Sequence, residues 1–137
     1  MSTQEKDKKL NDVDDLSDIR LFVDTFYGRV RNDDLIGPIF NERIGDQWEV
    51  HLEKMYRFWE TILFDQKTYF GAPFLPHATM NLEPPHFHRW ITIFEATLHE
   101  LNSGDNTEKV IWQGKRMAEI FMSKINYYKT QGGKPLI

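Results

Sequence analysis

Four stretches of the sequence place apolar side chains three or four residues apart, and this spacing constrains the fold more than any other feature. The stretches run from Leu16 to about Asn32, from about Asp46 to Ile62, from Pro85 to Leu101 and from about Thr107 to Ile125. This spacing gathers the apolar side chains on one face of an α-helix. No stretch shows the alternating pattern of a strand bounded by hairpin turns, and no internal repeat occurs. The sequence therefore predicts an all-α fold.

Glycine and proline interrupt the chain between these stretches. Gly37 and Pro38 break the segment 35–41 while leaving apolar side chains to bury, so we expect a packed corner there. Pro73 and Pro76 bound a short segment before the third stretch, and Pro85 is well placed to open a helix. Helices that are unequal and interrupted by glycine and proline do not suit a simple up-down bundle. We expect crossed packing around a central cavity.

A chain of 137 residues with 40% hydrophobic content corresponds to one domain, and a domain of this size buries about 68–70% of its unfolded surface. We predict a flexible arm at 1–14, a single domain at 15–128 and a tail at 129–137. Aromatic residues make up 14% of the chain. That density suits a large core or the walls of a pocket for a planar ligand.

Charge and composition exclude several classes of partner. A net charge of −4 and a pI near 5.7 provide no basic surface for nucleic acid. No apolar run approaches the roughly 20 residues needed to cross a membrane, and the N-terminus lacks the apolar core of a signal peptide, so we expect a cytoplasmic protein. Because cysteine is absent, the chain has no disulfide, no thiolate ligand and no covalent attachment for c-type haem.

His77 is a candidate iron ligand because it follows the apolar, proline-bounded stretch Phe70-Gly-Ala-Pro-Phe-Leu-Pro. A neutral imidazole on such a short element is a usual proximal ligand of haem b. Three further polar groups lie on inward apolar stripes, namely the Tyr27 hydroxyl, the His51 imidazole and the Trp90 indole N–H. Taken singly, each is better explained by a hydrogen bond to a backbone carbonyl or by a polar end that reaches the surface.

Several motifs, taken together and in order, resemble the truncated haemoglobins of group III. The resemblance covers the chain from about Leu16 to Ile125. The paired-glycine motifs of the other truncated groups are missing, which agrees with group III. The motifs are Phe26-Tyr27, Leu35-Ile-Gly-Pro-Ile-Phe40, Trp48-x-x-His51, Phe58-Trp59, Tyr69-Phe-Gly-Ala-Pro73, His77 and Phe87-His-Arg-Trp90.

The resemblance implies a two-over-two helical sandwich around non-covalent haem b. By motif match, His77 becomes the proximal ligand of the haem iron. Tyr27 and Trp90 become the distal hydrogen-bonding pair, and His51 becomes the distal histidine, with a further role as a gate for ligand entry. Phe40 matches the phenylalanine that packs on the haem face.

Other residues are candidates for contact with the haem. Met55, Phe58 and Ile62 share the His51 face of their helix, so we expect them to form apolar lining. Three basic residues are candidates for pairing with the propionates, with none favoured over the others: Lys54, Arg57 and Arg89.

The predicted pocket favours oxygen and other diatomic ligands such as carbon monoxide and nitric oxide. A neutral hydrogen bond to such a ligand contributes about 0.5–1.5 kcal/mol, so two or three donors would slow its release. This suits tight capture or oxygen chemistry better than a carrier that must release its ligand.

Two alternative functions stay open: a haem enzyme that works with an external reductase as a nitric oxide dioxygenase or peroxidase, and a cofactor-free helical interaction module. We expect a monomer.

Overall fold

The computed structural model describes residues 10–65 and 82–130, apart from the side chain of Tyr128. These residues form five helices and no strand, so the predicted all-α fold is confirmed. The helices are α1 (Leu16–Arg31), α2 (Gly37–Ile44), α3 (Trp48–Phe64), α4 (Pro84–Leu101) and α5 (Asp105–Thr130).

The four longer helices form two layers. Helix α1 packs against α3, and α4 packs against α5. Contacts of α1 with α4 and of α3 with α5 join the two pairs, while the short α2 lies against α1. The fold is the two-over-two sandwich expected from the sequence. It brings the inward faces of α1, α3 and α4 to one interior, where Tyr27, His51 and Trp90 lie.

The helix starts follow local chemistry that the sequence already displays. Asp15 caps α1, because its carboxylate accepts a hydrogen bond of 3.1 Å from the backbone N–H of Asp18. Pro84 opens α4, where its missing N–H costs nothing because the first turn of a helix has no acceptor for it. The backbone N–H of Glu83 donates to Nδ1 of His86 at 2.9 Å and completes this start.

The segment predicted as a packed corner contains a helix of two turns, α2. Pro38 occupies its first turn, so the residue that suggested a break in fact helps the helix to begin. The Asp33 carboxylate accepts hydrogen bonds of 3.0 Å from the backbone N–H groups of Leu35 and Ile36 just before the helix. A Cβ on Gly37 would lie 2.9 Å from the carbonyl oxygen of Arg31, so only glycine permits this close approach.

The residues just before α1 pack onto the junction of α4 and α5. Val13 is fully buried, and the Asn11 carbonyl accepts from the Ser103 N–H at 3.1 Å. The Asp12 carboxylate accepts from the Thr107 N–H and hydroxyl at 2.8 and 2.7 Å and from the Asn106 N–H at 2.9 Å. This anchored stretch lies within the predicted arm; residues 1–9, like residues 131–137 of the predicted tail, lie outside the described residues.

We expect Asp12→Ala to lower the free energy of unfolding by about 2 kcal/mol at neutral pH, because α5 loses a charged cap from across the fold. Partial burial acts to raise the pKa of Asp12, but hydrogen bonds from Thr107, Asn106 and Val13 outweigh it and hold the pKa below the ordinary 3.8. The stabilisation is therefore complete above pH 3.8 and disappears as the pH falls through the lowered pKa. Urea unfolding at neutral and acid pH measures both effects.

Asp14→Ala is the matched control, since Asp14 is exposed and its side chain makes no hydrogen bond within the described residues. It should leave the unfolding free energy within about 0.5 kcal/mol of the wild type. Equal losses in the Asp12 and Asp14 variants would show that the cap contributes nothing specific.

Candidate functional site

Tyr27 and His51 lie face to edge in the interior between α1 and α3. Their ring centroids are 4.8 Å apart and the rings are nearly perpendicular, at 88°. Tyr27 is only 8% exposed, near the end of α1. His51 is half-buried in the first turn of α3. The structure therefore brings together two of the three polar groups that the sequence placed on inward stripes.

Trp48, for which the sequence predicted no role at the site, contacts both members of this pair. Its ring lies 5.8 Å from Tyr27 and 5.7 Å from His51, in edge contacts with both. The Arg31 guanidinium lies over the same indole, 4.6 Å from the ring centroid. The available signal was the three-residue spacing of Trp48 and His51, which places both on one face of α3.

Trp90 reaches the same interior from α4 and is held by aromatic packing. It stacks on Phe94 with ring centroids 4.8 Å apart at 15°, and Phe26 meets it edge-on at 5.1 Å. Phe26 also contacts Tyr27 at 4.8 Å, so one ring separates the two predicted donors. Trp90 is only partly buried. Its orientation is set by neighbouring rings rather than by a hydrogen bond.

Tyr27 and Trp90 each supply a hydrogen-bond donor to this interior. Burial raises the pKa of Tyr27, so its hydroxyl stays protonated at neutral pH and remains a donor. Among residues 10–65 and 82–130, neither the Tyr27 hydroxyl nor the Trp90 indole N–H meets a hydrogen-bond acceptor. Both donors are thus available to a ligand.

The apolar side chains of the fold form two clusters, and Trp90 packs against both. The main cluster contains the buried Phe40 and Phe58, and Met55 and Ile62 pack against it while staying partly exposed. The small cluster lies where α4 begins and the second half of α5 passes. Its buried members are Leu82, Phe87, Ala118 and Ile125.

His77, the predicted iron ligand, lies outside the described residues. Leu82 is the first described residue after His77, and it is buried in the small cluster. The Lys129 ammonium donates a hydrogen bond of 3.0 Å to the Leu82 carbonyl oxygen. The last turn of α5 therefore anchors the chain five residues after His77.

The basic residues near the site differ in their partners. Arg57 forms ion pairs with two glutamates of its own helix at 2.9 and 3.2 Å. Arg89 forms ion pairs with two aspartates that precede α2, at 2.6 and 3.2 Å. Lys54 is exposed and has no ion pair within the described part of the chain. Of the three basic candidates, Lys54 alone can bind a further anion without breaking an ion pair of the described residues.

None of the helices in the described ranges combines the length and the apolar character needed to cross a membrane.

Comparisons with known proteins find similarity to globins, at the level of a family model, a sequence relative and a solved structure. A family model described as bacterial-like globin matches residues 13–123. The group 3 truncated hemoglobin ctb of Campylobacter jejuni is 28% identical over 114 residues, which cover 80% of this chain and 90% of that protein. The crystal structure of a group III truncated hemoglobin from Campylobacter jejuni superposes with a TM-score of 0.78 at 26% identity, covering 85% of this chain and 94% of the other.

Proposed function

The chain belongs to the bacterial-like globin family, and on this premise we propose that it holds non-covalent haem b through His77 and binds oxygen and other diatomic gases beside Tyr27, His51 and Trp90. Membership of this family makes the protein a haem-binding globin. The matches also confirm its identification from sequence as a truncated haemoglobin of group III. The type of haem, the iron ligand and the gas are our proposals.

The described residues fit such a cofactor. A planar apolar ligand needs apolar side chains that other parts of the protein do not fully cover. Met55, Ile62 and Trp90 are partly exposed and provide such surface beside the main cluster. It also needs few polar groups, placed where a small ligand would bind. The single observation that carries the proposal is the contact of Tyr27 with His51 at 4.8 Å inside this apolar surrounding.

Bound haem would supply an iron atom that can take up a diatomic gas. The role of the chain is to hold that gas with Tyr27 and Trp90, whose donors have no acceptor within the described part of the chain. Each neutral hydrogen bond stabilises the bound ligand by about 0.5–1.5 kcal/mol. Trp48, Phe26 and Phe94 fix the orientation of these donors, so little rotational freedom is lost when the ligand arrives.

Lys54 is our candidate for an ion pair with a haem propionate. It follows His51 by three residues, which places it on the neighbouring part of the α3 surface. Arg57 and Arg89 are already engaged with carboxylates of this chain. Recruitment of either would require an existing ion pair to break.

One set of absorption spectra tests the proposed function. The purified protein, oxidised, reduced and reduced under carbon monoxide, should show the Soret bands of a haem b protein, and a pyridine haemochrome assay should give one haem per chain. A colourless protein that does not take up added haemin would mean that this chain has lost haem binding. That outcome would favour the cofactor-free helical module.

Catalysis at the same pocket is the second candidate function. Two donors that face a ligand in an apolar pocket favour retention over release, which suits nitric oxide dioxygenase or peroxidase chemistry better than oxygen delivery. Both reactions require a reductase or another external electron donor. Consumption of nitric oxide or peroxide over many turnovers, in the presence of such a donor, distinguishes the enzyme from the binder.

We predict that His51→Ala raises the association rate of carbon monoxide about tenfold, the equivalent of removing a barrier of about 1.4 kcal/mol. His51 lies in the first turn of α3 and is half-buried, with its Nε2 atom buried, so we expect its imidazole to move aside when a ligand enters from solvent. Carbon monoxide gains little from hydrogen bonds, so a gate should change its entry more than its affinity. Flash photolysis measures the rebinding rate.

Val50→Ala is the matched control, because Val50 is the exposed neighbour of His51 on the same turn. Its rebinding rate should equal that of the wild type. If rebinding in His51→Ala is also unchanged, His51 is no gate and instead acts as a fixed donor or a structural histidine.

A further inference from the structure

One face of α5 is exposed along most of its length. The buried residues of this helix, such as Val110, Ile111 and Ala118, point to the other side. Trp112 lies in the middle of the open face and is 61% exposed, the largest exposure of any large apolar side chain in the described part of the chain. We call this face the α5 stripe. Its members are Asp105, Lys109, Trp112, Arg116, Glu119 and Ser123, all exposed.

The order of side chains along the α5 stripe is complementary to itself in the antiparallel direction. When a second α5 is placed antiparallel across a two-fold axis at residue 114, Trp112 meets Arg116 of the second copy, and Lys109 meets Glu119. The first pair is a cation–π contact and the second an ion pair, and symmetry repeats each of them. A parallel alignment in register would instead place like charges opposite each other.

The charged groups of the α5 stripe are available for such contacts. Arg116 and Glu119 form only a long intrahelical pair of 4.0 Å, and both side chains are more than half exposed. Lys109 has no ion pair within the described part of the chain. An indole at the centre of an interface, with charges around it, is the arrangement in which aromatic side chains contribute most to binding.

We propose that the α5 stripe is a self-association surface, through which two copies of this chain form a weak antiparallel dimer. From Asp105 to Ser123 the helix rises only about 27 Å, so one helix pair buries less surface than a standard stable interface. We therefore expect a weak dimer that is populated at roughly millimolar protein concentration. The proposal departs from the monomer expected from sequence, because the exposure of Trp112 is visible only in the structure.

Sedimentation velocity of the haem-loaded protein between about 10 μM and 1 mM tests this proposal. The wild type should shift towards the dimer as concentration rises. Trp112→Ala should weaken the dimer about 30-fold, as expected for a central aromatic anchor. Lys109→Glu or Glu119→Lys alone should weaken it about tenfold, whereas the double variant should restore it. Glu42→Lys, on the exposed surface of α2, is the charge-matched control for Glu119→Lys, and circular dichroism checks that every variant is folded.

Each outcome decides the proposal. Restoration in the double charge reversal supports the antiparallel alignment, because only residues that face each other compensate in this way. A wild type that remains monomeric at 1 mM overturns the proposal and leaves the α5 stripe to solvent or to a different protein. A dimer that persists after Trp112→Ala, or one that the double variant does not restore, overturns it as well, since association then uses another surface or register.

Discussion

Replacing His77 with alanine is expected to remove most of the haem, which is the largest effect that any single substitution in this chain should have. Even the outer partners of a metal ligand typically contribute 10–100-fold to metal affinity, so loss of the ligand itself should lower haem affinity by more than about 100-fold. The Soret absorbance relative to protein absorbance and the haem stoichiometry measure this directly. The variant should also unfold at a lower temperature than the wild type, because the apo form loses stabilisation by the bound cofactor.

Two controls make this result specific. His99→Ala removes an exposed histidine of α4 that pairs only with Glu108 and should retain full haem. Added imidazole should restore haem binding to His77→Ala, because a free ligand can occupy the space that the side chain leaves. A His77→Ala protein with the wild-type Soret spectrum and stoichiometry, without imidazole, would falsify the assignment and make His51 the candidate ligand.

The fold could be predicted largely from sequence because its four long helices carry their signals locally. The apolar spacing, the Asp15 cap and the proline that opens α4 all act within a few residues. Helix α2 was missed because Pro38 looks the same in a sequence whether it ends a helix or starts one. The anchoring of Asp12 could not be predicted at all, since its partner Thr107 lies 95 residues away.

The site could be predicted only in part, because local sequence does not show contacts between residues far apart in the chain. Inward faces identify Tyr27, His51 and Trp90 one at a time, because each helix carries its own spacing. The contact of Trp48 with both Tyr27 and His51 depends on how α1 and α3 are placed against each other, which neither helix encodes alone. The ion pairs of Arg89 depend in the same way on α4 and the α1–α2 connection. The role of His77 stays a prediction.

Tyr27→Phe and Trp90→Phe are each expected to speed oxygen release about fivefold, the rate equivalent of one hydrogen bond of about 1 kcal/mol. Phenylalanine keeps an aromatic ring at both positions, so the contacts with Phe26 and Phe94 largely survive while the donor disappears. Because burial raises the pKa of Tyr27, its hydroxyl is protonated throughout the neutral range, and the effect of Tyr27→Phe should not depend on pH there. Stopped-flow measurement of oxygen release gives these rates.

Tyr56→Phe is the matched control for Tyr27→Phe. It deletes a tyrosine hydroxyl of α3 that donates to Asp24 rather than to the interior, so oxygen release should stay at the wild-type rate. Carbon monoxide, which gains little from hydrogen bonds, should leave all of these variants at similar rates.

If Tyr27 and Trp90 act independently, the double variant should release oxygen about 25-fold faster than the wild type. A smaller combined effect would mean that the remaining donor, or His51, turns towards the ligand when one partner is lost. Release at the wild-type rate in both single variants and in the double would mean that the two donors face the pocket without binding its ligand, and that retention depends on His51 or on the iron alone.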